Sequence, residues 1–360
     1  MAQFNEEFYL ENNPEALASD KTAFEHFVTE GWESGLQANA EGEALTGDDI
    51  VIEAVALPGE ALVSLVSEMD ADDMRLVDAD SAVLDVPALM TTSFDVFKNM
   101  DASETAKLVE DTPESLAVMD VGDFQFLEEG TSFDVGQTME GLDESTTADV
   151  LMGLGGEALE YVDAKETFDM GAELTAMDDA NLATMFGGMG TESMGVMDNL
   201  SGFEMGTELA EMDKTSQATM MGGMATDSMT FMDGMDDWDM GAEMAAMDDA
   251  NMATMFGAMD TGGMGFMDDL SGFDMGTELG AMDDQYMASM LGGMDTGEFT
   301  FFDGMADFDM GAKMTGMGDE HMSSMFGTMD TTDFTFFDSM SGFDMGTELG
   351  AMDDQYMASM

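Results

Sequence analysis

The residues with the clearest capacity for chemistry are acidic. Asp283, Asp284, Asp295 and Asp303 lie within one short stretch, and similar sets recur along the chain. With turn carbonyls they supply hard oxygen donors, the ligand type of Ca2+, which takes about six to eight of them. No Asp-x-Asp-x-Asp-Gly loop closed by a glutamate at the twelfth position accompanies them. Each Asp therefore also reads as a helix cap on a solvated face, and discrete Ca2+ sites stand beside diffuse screening by monovalent or divalent cations. No cofactor is required on either reading. Acid and base catalysis has little to work with: His26 and His321 are the only histidines, and there is no cysteine. Paired acids such as Asp248 and Asp249 recur in nearly every block, whereas a tuned dyad would be singular. An enzyme is not expected. Thioethers bind Cu(I), but the methionines fall at core spacing and interchange with Leu, as Met252 does with Leu182. Packing explains that interchange better than ligation does.

The elements that carry these residues are repeats. Aligned on Glu166-Thr167-Phe168-Asp169-Met170-Gly171, blocks start at 166, 201, 236, 271, 306 and 341, a period of 35 residues. Ser-Gly-Phe-(Asp/Glu)-Met-Gly-Thr-Glu-Leu appears only in the blocks at 201, 271 and 341, so a 70-residue period lies on top. Ser271 to Met290 recurs unchanged at Ser341 to Met360, and the sequence stops 20 residues into a block, as a fragment of a longer array would.

Within a block the large apolar residues step by 3, 4 and 5, and the 5-residue step crosses Asp, Ser or Thr. From Met282 the series runs Met287, Met290, Met294, then Phe299, Phe302, Met305, then Met310, Met314, Met317. This spacing predicts three subunits of 12, 11 and 12 residues per block, each carrying one short helix of about eight or nine residues, with the polar residue as N-cap between apolar residues at N′ and N4. Ser271 with Asp274, Ser341 with Asp344, Ser201 with Glu204 and Asp295 with Glu298 read as caps with an acid at N3. Pro113 after Thr112 suits the first turn of a helix, and Gly292, Gly293 and Gly304 fall at the far ends. Helices this short need neighbours, so the expected fold is all-α, a solenoid or superhelix of stacked short helices. A Ca2+-binding β-roll would need a nine-residue Gly-Gly-x-Gly-x-Asp pattern, which is missing.

The formal net charge is -72, from 79 acidic and 7 basic side chains. Nucleic acid and anionic membrane are thereby poor partners, and self-repulsion calls for screening. Disorder is the usual alternative for so acidic a chain, but 44% hydrophobic residues, with 47 Met and 25 Phe placed periodically, favour a fold. No apolar run reaches 18 residues, so membrane insertion is not expected.

The spacing and caps from about residue 100 to 360 resemble the short-helix superhelical N-terminal domains of the MgtE family. Their Leu-(Asp/Pro)-Pro-Glu phrase maps onto Met247-Asp248-Asp249-Ala250 and the residues through Met259. The resemblance implies the superhelical fold and does not carry ion transport with it. A second resemblance lies in Tyr9-Leu10-Glu11-Asn12-Asn13-Pro14-Glu15, followed by Glu25-His26-Phe27, Gly31-Trp32-Glu33-Ser34-Gly35 and Asn39. This is similar to a short module of secreted bacterial proteins that accompanies haemolysin-type calcium-binding repeats and type I export. It implies an extracellular or cell-surface location, with the cytoplasm as the alternative.

The expected organisation is an N-terminal helical module over 1–60, a diverged helical cap or linker over 61–118, with helix starts at Met69-Asp70, Met100-Asp101 and Thr112-Pro113, and the array over 119–360. The expected function is structural: a surface repeat protein whose self-similar ends stack head to tail into a filament or layer. The alternatives are a calcium-responsive adhesion or binding module of a secreted protein and, third, an intracellular acidic scaffold.

Overall fold

In this computed structural model the described residues are 6–18, 23–27, 36–37, 90–91, 94–294, 296–329 and 331–357, and among them every regular element is helical. The chain divides into two compact units, Met1–Asp169 and Met170–Met360.

The N-terminal unit opens with helices Glu6–Asn12, Pro14–Ala18 and Ala23–His26. The motif residues of this segment form a small core of their own. Tyr9, Asn13, His26 and Phe27 are buried, the Tyr9 hydroxyl is 2.9 Å from His26 Nδ1, and the Asn13 amide donates to the Tyr9 carbonyl at 2.8 Å. His26 is thus a hydrogen-bonded core histidine. The later motif residues, Gly31 through Gly35 and Asn39, and the helix start at Met69-Asp70 lie outside the described residues. Further along come a 3₁₀ helix Phe94–Asn99, helix Ala102–Asp111 and a second 3₁₀ helix Pro113–Val118. Asp101 caps the first α-helix after the expected start, accepting from Ser103 N–H, and Pro113 opens its element at N1. Helices Val121–Glu128, Val135–Glu140, Glu144–Gly153 and Gly156–Asp163 complete the unit.

The second unit consists of rounds of three helices. The first round is Met170–Ala176, Asp179–Gly188 and Thr191–Asp198; the second is Met205–Glu211, Lys214–Gly223 and Thr226–Asp233; the third is Met240–Ala245, Asp249–Ala258 and Thr261–Asp268. The fourth is Met275–Ala281, Asp284–Gly292 and Thr296–Gly304; the fifth is Met310–Gly316, Asp319–Phe326 and Thr331–Ser339; Met345–Ala351 and Asp354–Met357 follow. Helix starts keep a 35-residue register throughout, and the same register already holds at Val135, Glu144 and Gly156 in the first unit. Equivalent second helices stack on one another from round to round, as do equivalent third helices, so the unit is a solenoid stack.

Apolar columns run through that stack. Met185, Met220, Met255, Met290 and Met325 are each at most 1% exposed. Burying one such side chain contributes about 1.5–3 kcal/mol, more than the ~1 kcal/mol of a typical cap, so the columns hold helices of six to ten residues that would not persist alone. Met252 and Leu182 occupy the same place and are both 2% exposed. In the fourth and fifth rounds Phe replaces Met, and Phe299 packs on Phe337 with ring centroids 4.9 Å apart. Phe168 (in the first unit), Phe203, Trp238, Phe273, Phe308 and Phe343 share another 35-residue register and are all buried. Trp238 brings into its place an indole N–H that finds no hydrogen-bond partner.

The capping pattern holds for the second helices of the first three rounds, lapses after them, where Asp283 makes no side-chain cap bond and Gly318 takes the N-cap place, and fails for the first helices. Asp178 and Asp248 cap their helices through Asn181 and Asn251 N–H, and Met282 and Met287 flank Asp283 as buried staple residues. Before the first helices, Ser271 is not an N-cap with Asp274 at N3. Asp274 is itself the N-cap, accepting from Thr277 N–H at 2.9 Å, and Asp344 does the same through Thr347. Glu204 holds the N-cap place in the second round without a side-chain cap bond. Ser201, Ser271 and Ser341 belong to the preceding turn, because Gly202, Gly272 and Gly342 have φ of +87°, +88° and +82°, a left-handed conformation that no helical first turn contains. Met310, expected at N4, is accordingly the first residue of its helix, behind N-cap Asp309. Gly293 and Gly304 do mark helix ends, but Gly293 has φ of -96° and closes its helix without a left-handed turn.

Candidate functional site: the faces between rounds

The acidic turns are built from helix N-termini, whose unpaired N–H groups attract carboxylates. Asp283 is the N-cap of its helix, and its backbone N–H donates to Asp249 Oδ2 of the previous round at 2.7 Å. Asp284 is the first helical residue, with Oδ1 3.5 Å from Lys313 Nζ of the next round. Asp303 is exposed on the last turn of helix Thr296–Gly304, and Asp295 lies outside the described residues. Among the described residues no three acidic or histidine side chains converge to hold a metal ion. The turns divide the labour of the acid pairs Asp178-Asp179 and Asp248-Asp249. In Asp248-Asp249 the first caps its own helix and the second reaches the following round.

That reach recurs at 70-residue intervals. Asp179 accepts from Asp213 N–H at 2.8 Å, Asp249 from Asp283 N–H at 2.7 Å and Asp319 from Asp353 N–H at 3.0 Å. The same junctions carry a close main-chain approach. A Cβ at Gly171, Gly241 or Gly311 would collide with the carbonyl oxygen of Ser201, Ser271 or Ser341 respectively, at 2.5 Å in the last case. Only glycine permits that contact, in which a Cα–H faces the carbonyl. These are clasped junctions, and they join the first round to the second, the third to the fourth, and the fifth to Met345–Met357.

The intervening junctions use lysine. Lys214 pairs with Glu243 of the third round, and Lys313 reaches back to Asp284 and to the Met282 carbonyl, at 2.5 Å for the latter. Lys214 stands where other rounds have Asp179, Asp249, Asp284 and Asp319, and Lys313 where others have Glu208, Glu243, Glu278 and Glu348. The two ionic junctions therefore make the same contact with its charges exchanged. Gln217 adds to the first of them from a core position occupied elsewhere by Leu182, Met252, Met287 and Met322. It is fully buried, and its amide donates to Leu209 O at 2.7 Å and to Glu243 Oε2 at 3.3 Å. Sequence spacing alone passes over Gln217, Lys214 and Lys313; their departure from the 35-residue register is the signal that marks them. A groove of about 650 Å3 in this unit is lined by Asp198, Glu204, Asp236 and Asp237 together with Phe231 and Met235.

In the first unit Glu128 gathers the hydroxyl of Tyr161 and the ammonium of Lys165, both at 2.6 Å, while the ammonium lies 4.1 Å from the Tyr161 ring centre. Burial alone would raise the Glu128 carboxyl, but the Lys165 and Tyr161 hydrogen bonds hold it below the usual range. Asp123, 5% exposed, faces the Lys98 ammonium.

A few acidic side chains are perturbed, in two opposite directions. The Ser216 N–H lowers Asp213, and the Thr146 and Thr347 N–H groups lower Asp143 and Asp344. Depressed carboxyls contribute stability that is present above their unfolded values and is lost as pH falls through the depressed ones. Glu208 is raised by burial and then by Glu211 and Asp179, and Asp268 by burial and then by Asp269, Asp307 and Asp274. These two act in the opposite sense: their contribution is present at low pH and disappears as pH rises through the raised values.

No helix among the described residues is long and apolar enough to cross a membrane. Comparison with protein-family models, with curated proteins and with solved structures finds no match for this chain.

Proposed function

We propose that this chain is a structural repeat protein of the cell exterior or surface, whose array serves as the body of a filament or layer formed by stacking of chains. The observation that carries this reading is the repetition of one inter-round face: each round offers its neighbour the same apolar columns in the same 35-residue register. A face that accepts the next round accepts an equivalent round of a second chain, and such heterologous contact builds an open filament where its rotation does not close into a ring. An external location is supported by the N-terminal resemblance to secreted bacterial proteins and by the charge of -72, which suits a medium rich in screening cations.

Electron microscopy tests the reading, on the purified chain at micromolar concentration and on immunogold-labelled intact cells. The expected result is regular filaments or sheets that lengthen with protein concentration, and label on unbroken cells. Dispersed single chains at every concentration would overturn assembly, and label only after permeabilisation would overturn the location. Chelation at matched ionic strength separates discrete Ca2+ dependence, in which filaments dissolve, from diffuse screening, in which they persist.

A further inference from the structure

The two kinds of junction alternate without exception through the second unit, and their polar ties differ in kind. Glycine brings main chain against main chain at both kinds, Gly206 and Gly276 facing Asp237 and Asp307 at the ionic junctions and the closer approach to a seryl carbonyl falling at the clasped ones; at a clasped junction a carboxylate also accepts from the N-cap N–H of the next helix at 2.7–3.0 Å. Neither tie of the clasp needs a long side chain to be held in place, and the second is charge-assisted and satisfies a helix-terminal donor. At an ionic junction the tie is a lysine whose stem must be ordered and whose side chain is partly exposed, 33% for Lys214 and 17% for Lys313. Exposed pairs of this type contribute little. The apolar columns cross both kinds of junction, so the polar ties decide which one parts first.

We propose that the array is an extensible device that yields in quanta of two rounds. Under tension it parts at the Lys214 and Lys313 junctions, and the clasped pairs, Met170–Asp233 and Met240–Gly304, unfold as single cooperative blocks. This gives the 70-residue period a mechanical meaning: the Ser-Gly-Phe turn that defines it supplies the clasp carbonyl at Ser201, Ser271 and Ser341. The property belongs to the single chain and holds whether or not chains assemble.

Single-molecule stretching of the full chain tests it. Because the sequence contains no cysteine, Ala2→Cys and Ser359→Cys provide unique attachment points. A block of 70 residues releases about 250 Å of contour at ~3.6 Å per residue, and one round half of that. The expected record contains recurring gains of about 250 Å. Gly241→Ala combined with Asp249→Ala unclasps the third round from the fourth and replaces one such gain by two of about 125 Å. Lys214→Met lowers the force of an event and leaves its size unchanged. Gains of about 125 Å throughout the unaltered chain, one gain for the whole array, or a change of step size in Lys214→Met would each overturn the proposal.

Discussion

Glycine in this chain has two roles that composition cannot separate. At Gly241 the absent Cβ is what lets the main chain of the third round touch Ser271 O, and a methyl group there has no free volume to enter. At Gly280, exposed near the end of helix Met275–Ala281, a Cβ would meet nothing within 4 Å. The two substitutions by alanine therefore carry opposite signs. Gly241→Ala forces the rounds apart or bends the turn, at the cost of about 1–3 kcal/mol typical of overpacking. Gly280→Ala removes backbone freedom from the unfolded chain and adds helix propensity, worth about 0.5–1 kcal/mol in favour of the fold. Urea unfolding followed by circular dichroism reads both, and equal midpoints for the two variants would contradict the close approach at 241. The acid pairs divide in the same way. Asp248 serves its own helix and Asp249 the next round, although as neighbours in sequence they look interchangeable.

Between elements, the exchanged charges of the ionic junctions are an experiment that the chain contains already. Lys214 opposite Glu243 and Asp284 opposite Lys313 show that the contact tolerates either polarity. Lys214→Glu alone should destabilise, since it sets two carboxylates against each other. Adding Glu243→Lys should restore most of the loss, with a coupling of about 0.5–1 kcal/mol in a double-mutant cycle because the pair is partly exposed; additive effects of the two changes would show that the residues do not interact. Part of this architecture was legible in the sequence. The period, the apolar columns and the caps at Asp178 and Asp248 follow from spacing, since they depend on residues within one turn of each other. At 201, 271 and 341 the sequence misplaces the start of the first helix, because Ser271-Gly272-Phe273-Asp274 and its equivalents imitate a capping box while Gly272 holds a left-handed turn. The inter-round ties were hidden for a different reason: Asp249 and the N–H of Asp283 are 34 positions apart, and no local pattern links them. Among the Ca2+ candidates the spacing placed Asp283 and Asp284 correctly at a helix start, but gave no sign that they bind the neighbouring rounds.

At the scale of the whole molecule, one imbalance dominates: 79 acidic side chains against 7 basic ones. Added salt weakens the few inter-element ion pairs among the described residues, those of Lys98, Lys165, Lys214 and Lys313, of which the partly exposed ones are worth about 0–1 kcal/mol each. The same salt screens repulsion among tens of carboxylates as the Debye length contracts from about 10 Å at 0.1 M to about 3 Å at 1 M. The second effect outweighs the first, so the melting temperature should rise with sodium chloride, and a fall would mean that the ion pairs carry more of the stability than their exposure allows. Calcium and magnesium then separate screening from binding, because they share a charge and differ in the number and rigidity of the ligands they demand. With no three convergent acidic side chains among the described residues, the two ions should raise the melting temperature equally at equal concentration. A calcium increment clearly above that of magnesium, lost when Asp283, Asp284 and Asp303 are changed to Asn, would instead establish the acidic turns as discrete sites.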